Sequence, residues 1–579
     1  MNVKLKNRDF IVADFETSTE KWYKKEHYAR VWLWGVYNPQ TELFDYGTDL
    51  DSFMKKLINM DFGSKNPVVY FHNLKFDGSY ILNWLFRNGY RFDEELEDSQ
   101  TFRTCITDMG IWHFIEICIY KKGKQRVIIH IQDSLKKIPL SVREIPESFG
   151  FSDEMVKGEI DYDEIRPIGH LPTKEELSYV ERDVKIVGKA LKELIDEGFT
   201  KSTCASDSFN YWKNTLLTEN AKNKKVNPNF NYRRIFPSLD MEVDDYIRRA
   251  YRGGWTYVNP IFQDKILEGV CVYDINSMYP SKMKDKYIPF GEPKFFKGKP
   301  KPTKYQCYIC RVMISFEIKE GHLPTIQLKN SYFFNETEYI ESSNGYEIEM
   351  TLTNIDLKLI FKQYNVKSIK YLDGYYFRKC RGLFNSFVDS LMEIKENSVG
   401  GRRFLAKRRM NSCYGKTATS PRRRKKIPVI SNGVLGFVLS EEEVGEPEYT
   451  AIGIFVTSHA RYDIICDAQA NYDRFIYCDT DSLHLLSLDS PPNLPIHKSK
   501  LGYYKLEKEV KKAIFLRSKT YIEEDLEGNS EIKCAGASPE VKEKMGFDNF
   551  KIGATYEGKL MPRQVEGGCI LMKTSFSIN

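Results

Sequence analysis

The amino-acid sequence predicts a multidomain protein that combines α/β and α+β architecture. Its 579 residues correspond to about four domains at the usual size of about 150 residues each. With 41% apolar and 14% aromatic residues, the chain can bury large hydrophobic cores, which excludes a disordered or low-complexity protein. Strand-like and helix-like patterns follow one another along the chain, and we find no internal repeat.

The first 200 residues are predicted to form one mixed domain. Alternating apolar residues predict strands, and longer amphipathic segments predict helices. The segment 219–234 is rich in Asn and Lys and has little apolar content, so we expect a surface linker or flexible loop and a domain boundary there. The predicted strands of this domain are 10–15, 31–37, 68–71, 111–120 and 127–133, and the predicted helices are 77–88 and 173–198.

The remaining chain mixes strands with one long helix pair. The pair is expected at about 383–416, where Gly400 and Gly401 break it. The predicted strands are 270–275, 305–318, 452–456 and 475–485.

Charge is distributed unevenly. The net charge is +6, yet the stretch 397–440 alone holds eleven Lys and Arg residues and no acidic residue. A solvated helix face is the ordinary explanation of such a run. Because so basic a helix repels itself without acidic partners, we favour a bound polyanion. The basic residues are Arg402, Arg403, Lys407, Arg408, Arg409, Lys416, Arg422, Arg423, Arg424, Lys425 and Lys426.

The sequence is typical of a soluble, unsecreted protein. No stretch approaches the roughly 18 continuous apolar residues that span a bilayer. Twelve Cys are scattered singly through apolar runs, which indicates reduced thiols in the core. Cys307 and Cys310 form a CxxC, but alternating strand residues surround them, so we expect no metal there.

One set of carboxylates lies in the first domain. Asp14 and Glu16 stand two apart in a predicted strand and therefore share a face. Tyr179 and Asp183 share a helix face at a spacing of four. Asp77 stands at a helix start, where an N-cap is the simpler explanation. Clustered carboxylates repel one another when buried, so this set calls for a cation.

A second set lies in the later part of the chain. Asp274 ends an apolar strand, and Asp479 and Asp481 stand two apart in a β-rich run, where we expect them to share a face. A turn or an exposed hairpin is the alternative for the latter pair. Between the two segments, Lys407, Asn411 and Tyr414 form one stripe of a helix.

Six short motifs together carry a family resemblance. DFET (14–17), HNLKFDG (72–78) and YVERD (179–183) resemble the three exonuclease motifs of proofreading family B DNA polymerases, and HNLKFDG is similar to the protein-primed branch. DINSMYP (274–280), KRRMNSCYG (407–415) and YCDTDS (477–482) resemble the polymerase motifs A, B and C. The chain thus resembles the protein-primed family B DNA polymerases of the phage phi-29 type. One departure is Arg408-Arg409, which replaces an expected apolar pair, so this helix either contacts DNA more heavily or packs differently.

The resemblance implies roles for the first set. Asp14, Glu16, Asp77 and Asp183 would hold two divalent metal ions, Tyr179 would orient the attacking water, and Lys157 would assist cleavage. Tyr162 would contact the DNA and, like Lys157, assist cleavage. The residues that match positions holding the single-stranded 3′ end are Thr17, His72, Asn73, Phe76, Ser134 and Leu135.

It also implies roles for the second set. Asp274, the Ile275 carbonyl and Asp481 would hold two Mg²⁺ ions, with Mn²⁺ as an alternative, and Asp479 would support them. Tyr279 would exclude the ribose 2′-hydroxyl. Nucleotide contacts are implied for Lys395, Arg403, Lys407, Asn411 and Tyr414. DNA contacts are implied for Tyr251, Arg252, Gly253, Gly254, Thr457, Arg461, Lys519 and Tyr521.

The implied architecture is a ribonuclease H-like exonuclease domain followed by a right-hand polymerase with two family-specific insertions. The first insertion would bind a terminal protein and duplex DNA, and the second would close a collar round DNA and separate strands. The implied divisions are 1–204 exonuclease, 205–285 palm, 286–382 first insertion, 383–418 fingers, 419–449 second insertion, 450–534 palm and 535–579 thumb.

The resemblance implies a strand-displacing viral replicase in the cytoplasm of an infected bacterium. It would bind primer-template and single-stranded DNA and deoxynucleoside triphosphates. It would be a monomer that pairs with a terminal protein at initiation. The alternatives are an exonuclease alone, a plasmid-encoded polymerase of the same type, and a nucleic-acid-binding scaffold.

Overall fold

The computed structural model shows several layered units joined by helices. None of the helices that it describes is long and apolar enough to cross a membrane. The structure describes residues 10–60, 66, 68–123, 125–152, 155, 158, 160–162, 164–216, 228–328 and 338–579.

The N-terminal unit is an eight-stranded mixed sheet in the order β3-β2-β1-β4-β8-β7-β6-β5. Apolar side chains of α2 and α3 pack on one face of this sheet, and those of α4 and α5 pack on the other. Its strands are β1 (Phe10–Thr17), β2 (Val31–Asn38), β3 (Leu43–Gly47), β4 (Val68–Phe71), β5 (Arg91–Phe92), β6 (Thr101–Ile106), β7 (Trp112–Lys122) and β8 (Gln125–Asp133). Its helices are α1 (Glu20–Glu26), α2 (Leu50–Asn59), α3 (Leu74–Arg87), α4 (Ile145–Phe149) and α5 (Lys174–Asp196).

Three helices connect this unit to the next: α6 (Cys204–Thr215), α7 (Pro228–Ile235) and α8 (Met241–Arg248). The prediction of a linker or loop over 219–234 is wrong for its described part, 228–234, which lies in α7. Tyr232 in α7 is fully buried against Trp212 and Phe236, and this aromatic packing compensates for the polar local sequence. Residues 219–227 lie outside the described part.

The central sheet has seven strands in the order β23-β22-β21-β10-β20-β19-β9. Helices α9 (Met278–Asp285) and α13 (Ala451–Gln469) pack on one of its faces. Its strands are β9 (Thr256–Val258), β10 (Leu267–Ile275), β19 (Phe475–Asp479), β20 (Ser482–Leu486), β21 (Tyr504–Arg517), β22 (Thr520–Asp525) and β23 (Ser530–Cys534).

The chain between α9 and the long helix pair forms a separate sheet. It has the order β11-β14-β12-β13 and is covered by α10 (Asn354–Gln363). Its strands are β11 (Ile288–Lys297), β12 (Gln306–Ile318), β13 (Ile348–Thr353) and β14 (Tyr364–Cys380). Cys307 and Cys310 lie on β12 and join different hydrophobic cores, so they do not form a joint metal site.

The predicted helix pair is α11 (Asn385–Asn397) and α12 (Gly400–Thr417), and it is followed by two small ribbons. These ribbons are β15 (Arg422–Arg423) with β18 (Glu443–Val444), and β16 (Lys426–Ser431) with β17 (Val434–Leu439). The chain ends with α14 (Pro539–Lys542) and the hairpin of β24 (Thr555–Val565) and β25 (Gly568–Ser577).

Candidate active sites

A cavity of about 1160 Å³ opens beside the N-terminal sheet. Segments that are far apart in sequence form its walls: the end of β1, the start of α3, and α5. The predicted residues that line it are Asp14, Glu16, Thr17, His72, Asn73, Phe76, Asp77, Tyr162, Tyr179 and Asp183. The fold therefore brings all four carboxylates of the first set to one cavity.

Regular elements orient these side chains. Asp14 and Glu16 both reach the cavity from β1, as strand alternation predicts. A capping box between Thr173 and Glu176 starts α5 one turn before Tyr179. Asp77 is not an N-cap, because Asn73 occupies that position and Asp77 lies buried inside α3.

The electrostatics of this cavity favour a cation. Burial, followed by the charge of Asp14, raises the pKa of Asp77 well above its usual value. Burial and the charge of Asp183 likewise raise the pKa of Tyr179. A divalent ion would relieve this repulsion, so the residues fit a metal. Within the described residues, no three His, Cys, Asp or Glu side chains already converge as a ligand set. Mg²⁺ commonly takes one or two carboxylates and completes its shell with water and substrate phosphates.

Hydrogen bonds beside the cavity fix the predicted residues His72, Tyr162 and Tyr179. His72 contacts Ser134 Oγ through Nδ1 at 2.9 Å and the Leu140 carbonyl through Nε2 at 2.7 Å. The hydroxyls of Tyr162 and Tyr179 lie 2.7 Å apart. These contacts give the imidazole and both phenol rings defined orientations toward the cavity.

Ser134 and Leu135 lie beside the cavity rather than in its lining. Ser134 is fully buried, donates to the Phe71 carbonyl at 3.0 Å and contacts His72. Leu135 is half-buried, and neither residue belongs to the cavity lining that the described residues form. Lys157 lies outside the described residues.

The second carboxylate set meets at the edge of the central sheet. Asp274 on β10 lies opposite Ser482 on β20, and the Ile275 amide donates to the Asp481 carbonyl at 2.9 Å. Burial, and then the neighbouring charge of Asp274, raise the pKa of Asp481 to about 6. Two carboxylates that disfavour each other's charge fit a divalent ion held between them.

Asp479 and Asp481 do not share a strand face, which corrects the prediction. The hairpin alternative describes this segment: β19 ends at Asp479, β20 begins at Ser482, and Thr480 has a φ of 66° in the turn. The turn directs Asp479 to Lys519, whose Nζ lies 2.9 Å away, while Asp481 faces Asp274.

Sequence reasoning missed two supports of this site. Lys505 lies opposite Asp274 on β21, and its Nζ is 3.6 Å from the carboxylate. Gly254 packs so closely on the catalytic turn that an added Cβ would lie 2.6 Å from Thr480 Cγ2. The alternation of β21 could have revealed Lys505, whereas no local pattern signals the Gly254 contact.

The predicted nucleotide residues lie beside these carboxylates. The rings of Tyr279 and Tyr414 stack with their centroids 4.4 Å apart. Burial, and then the charges of Lys407 and Arg403, lower the pKa of Lys395. Asn411 is half-buried on the same stripe as Lys407 and Tyr414. A cluster of cations and an aromatic stack therefore adjoin Asp274.

Several residues expected to contact DNA also have partners inside the protein. Arg461 is buried, pairs with Asp356 at 2.7 Å, and donates to the carbonyls of Arg252 and Gly253 at 2.6 and 3.0 Å. Asp356, which sequence reasoning missed, lies on α10. Arg461 therefore fixes the Tyr251–Gly254 loop through its backbone carbonyls.

Three further residues of this group also have internal partners. The buried hydroxyl of Thr457 donates to the Gly453 carbonyl at 3.1 Å, within its own helix. Tyr521 is only 7% exposed and packs on Phe515, which leaves little surface for DNA. Arg252 donates to the Thr351 carbonyl at 3.2 Å. Of the other residues predicted to contact DNA, Tyr251 is half-buried, whereas Gly253 and Lys519 are exposed.

The basic stretch 397–440 has more acidic partners than expected, since other segments supply them. Four of its residues form ion pairs, which corrects the expectation that only a polyanion balances this charge. The pairs are Arg402–Glu197 at 3.5 Å, Arg409–Asp207 at 2.5 Å, Arg422–Asp245 at 2.7 Å and Lys425–Glu443 at 2.8 Å.

Comparisons with known proteins agree with this arrangement. The family model described as DNA polymerase type B, organellar and viral, matches residues 58–172 and 157–499. The DNA polymerase of Bacillus phage M2 is 39% identical over 99% of this chain and 100% of its own length. The DNA polymerase of Streptococcus phage Cp-1 is 34% identical over 98% of both chains. The solved ternary complex of phi29 DNA polymerase with primer-template DNA and incoming nucleotide is 37% identical, covers 99% of this chain and 100% of that one, and has a TM-score of 0.90.

The fold and both sites thus define a DNA-directed DNA polymerase built from an exonuclease domain and a polymerase domain. The chain belongs to the type B DNA polymerases of the organellar and viral family, and within that family to the phi29 type.

Proposed function

We propose that this polymerase also proofreads with a 3′–5′ exonuclease and starts synthesis from a protein primer. The convergence of Asp14, Glu16, Asp77 and Asp183 beside Tyr179 in one cavity supports the exonuclease. The separate pair of Asp274 and Asp481 supports polymerisation at a second site. An exonuclease alone, or a scaffold without activity, does not fit a chain that matches DNA polymerases over nearly its whole length.

Divalent metal ions would serve both sites. Asp14, Glu16, Asp77 and Asp183 would hold them in the exonuclease, and Asp274, Asp481 and the Ile275 carbonyl would hold them in the polymerase. Bound there, Mg²⁺ or Mn²⁺ would stabilise the attacking and leaving oxygens of an in-line displacement at phosphorus. Asp479 would support the polymerase carboxylates through the turn.

The protein's own residues would orient the reactants. Lys395, Arg403 and Lys407 would neutralise the triphosphate, and Asn411 and Tyr414 would line the new base pair. Tyr279, fixed by its stack on Tyr414, would block a ribose 2′-hydroxyl. In the exonuclease cavity, Tyr179 would orient the attacking water and His72 would hold the 3′ end.

The proposed divisions follow the structural units: the N-terminal sheet with α5 is the exonuclease, the central sheet is the palm, α11 and α12 are the fingers, and the C-terminal hairpin is the thumb. The sheet of β11 to β14 is the first insertion and would receive the terminal protein. The ribbons of β15 to β18 are the second insertion and would act in strand displacement. The primer-template, single-stranded DNA and nucleotide named for the solved phi29 complexes are the ligands that we propose for this chain.

Two substitutions separate the activities. Asp14→Ala combined with Asp77→Ala should abolish degradation of a labelled single-stranded primer and leave primer extension intact. Asp481→Ala should abolish extension and leave degradation intact. If both activities survive either change, the assignment of the two sites is wrong.

Protein priming needs its own test. The enzyme is incubated with a candidate terminal protein, template DNA, metal and one labelled deoxynucleotide. A protein–nucleotide adduct that disappears with Asp481→Ala supports priming. Extension of a DNA primer without any adduct, across the terminal proteins of phages or plasmids that encode such polymerases, contradicts it.

A further inference from the structure

Helix α12 presents two functionally different faces. Lys407 and Asn411 lie on the face that adjoins the polymerase carboxylates. Arg409 stands two residues from each of them, a rotation of about 200° on an α-helix, and therefore points the opposite way. Arg409 is also one of the two charged residues that replace the apolar pair expected in this motif.

Arg409 is buried against α6 and against the segment that precedes α6. Its Nε donates to Asp207 Oδ2 at 2.5 Å, and a second guanidinium nitrogen donates to the Gly198 carbonyl at 3.3 Å. The guanidinium carbon lies 5.0 Å from the ring centre of Tyr211. The Ser208 hydroxyl donates to the Arg409 carbonyl. The Arg409 and Asp207 side chains are only 9% and 3% exposed, so their geometry is sheltered from water.

The same helix has a second anchor at its start. Glu193 on α5 accepts a hydrogen bond from the Gly401 amide at 2.8 Å. Phe404 packs on Phe149 of α4, with ring centres 5.3 Å apart. Gly400 has a φ of 58°, and an added Cβ would lie 2.7 Å from the Phe149 carbonyl oxygen. Two points along one side of α12 are thus fixed to the N-terminal unit and its connector.

We infer that Asp207 and Arg409 are positioning residues for the incoming nucleotide. Their buried contact, together with the Gly198 and Ser208 hydrogen bonds, sets the rotation of α12 about its axis, and this rotation aims Lys407, Asn411 and Tyr414 at the carboxylate pair. The contacts of Gly401 and Phe404 fix the start of the helix, before the segment that carries these three residues. The inference rests on the proposed nucleotide-binding role of Lys407, Asn411 and Tyr414.

Lys137 bears on the choice of substitutions. Its buried ammonium group interacts with the charge of Asp207. Removing Asp207 alone would therefore leave two buried cations, Lys137 and Arg409, without this carboxylate. Arg409→Met removes a charge and keeps an unbranched, apolar side chain that suits a helix. Combining Asp207→Asn with Arg409→Met removes both members of the pair and leaves the net charge of this buried group unchanged.

The experiment measures kcat and KM for the next nucleotide in single-nucleotide primer extension. Arg409→Met and the double variant should each raise KM by about tenfold or more, because a small displacement of binding groups has effects of that order. Arg409→Lys, which retains the charge, should recover part of the loss. Degradation of single-stranded DNA should stay at the wild-type rate, which shows that the N-terminal unit is folded, and the melting temperature reports on the fold of the whole chain. Lys192→Met is the control, since it removes an exposed ion pair with Asp196 on α5.

Two results would overturn the inference. In one, both folded variants retain the wild-type KM. In the other, KM rises equally in Lys192→Met. Lys407→Ala identifies a failure of the underlying assignment: an unchanged KM in Lys407→Ala means that the proposed nucleotide site is wrong, whereas a raised KM there with none in Arg409→Met rejects only the positioning role.

Discussion

Gly254 shows how a residue without a side chain supports a catalytic turn. The space that a Cβ would occupy is already taken by Thr480, which stands between Asp479 and Asp481. The neighbouring Gly253 is exposed, and an added Cβ there would meet nothing within 4 Å. The two adjacent glycines therefore differ: a side chain at position 254 would collide with the turn, whereas one at position 253 would not.

We predict that Gly254→Ala lowers kcat for primer extension by roughly tenfold to a hundredfold, because the turn must shift away from the new methyl group. Exonuclease activity should be unaffected, since its cavity lies in another unit. Gly253→Ala is the matched control and should leave kcat unchanged. Single-turnover extension at saturating nucleotide measures the effect, and equal kcat values for the two variants would contradict it.

Lys137 is a buried cation whose proton the fold disfavours. Burial lowers its pKa from 10.5 to about 7, although Asp207 partly opposes the shift. The unfolded chain therefore binds more protons than the folded protein between about pH 7 and 10.5, and stability rises with pH across that window. The loss of folding stability caused by the buried charge is complete below about pH 7 and disappears near pH 10.5.

We predict that Lys137→Met stabilises the protein at pH 6 by up to about 5 kcal/mol, since each pKa unit corresponds to about 1.4 kcal/mol. The gain in melting temperature should shrink as the pH is raised toward 9. Lys136→Met, which changes a partly exposed neighbour, should show no such trend. A gain that does not depend on pH would count against the buried charge as its cause.

Among the elements, the ribbon of β15 and β18 shows which basic residues remain for DNA. Arg422 already pairs with Asp245 and Glu442, and Lys425 pairs with Glu443. Arg423 and Arg424 are exposed and form no ion pair within the described part of the chain. Arg423 and Arg424 can therefore contact phosphates without first losing an ion pair.

We predict that Arg423→Gln with Arg424→Gln reduces the slope of log affinity against log salt on duplex DNA by about 1.8, because each lost phosphate contact removes about 0.9. Arg422→Gln should change the slope less. The measurement is equilibrium binding to primer-template DNA at several salt concentrations. If the double variant keeps the wild-type slope, Arg423 and Arg424 are merely solvated.

Other elements show where local patterns mislead. The run 452–456 is rich in β-branched residues and predicts a strand, yet it lies in α13. Nearly every face of α13 is buried, so its apolar residues follow neither the helical nor the strand period, and local pattern cannot separate the two. By contrast, α5 was predicted within two residues of its observed ends, since Thr173 and Glu176 form a capping box at its start.

Across the whole molecule, the C-terminal hairpin meets the N-terminal unit. The C-terminal hairpin packs on α3 and the segment before β2: Tyr80 donates to the Cys569 carbonyl at 2.6 Å, and the Ala29 amide donates to the Glu566 carbonyl at 2.8 Å. A β-bridge joins Glu566 to Val434 in β17. These contacts connect the proposed thumb, exonuclease and second insertion, as expected of a collar round DNA.

We predict that Tyr80→Phe combined with Ser79→Ala weakens this closure and shortens the products made per binding event. Ser79 is included because its hydroxyl accepts a hydrogen bond from Gln564 Nε2 at 2.9 Å. Each lost hydrogen bond weakens the contact by about 1 kcal/mol. Extension in the presence of trap DNA measures product length. Single-nucleotide kcat is the control, and unchanged product length would show that the contact does not hold the collar.

The sequence by itself determined the family and indicated the carboxylates that the fold brings together. These depend on short motifs, in which each residue is recognised by neighbours a few positions away. The tertiary structure decided how the charged residues are paired. Arg461 meets Asp356 from 105 residues away, Arg422 meets Asp245 from 177, and Arg409 meets Asp207 from 202. Local spacing carries no information about such pairs, because chain folding alone sets which distant segments meet. Only the fold could therefore show that Arg461 and Arg409 have buried acidic partners.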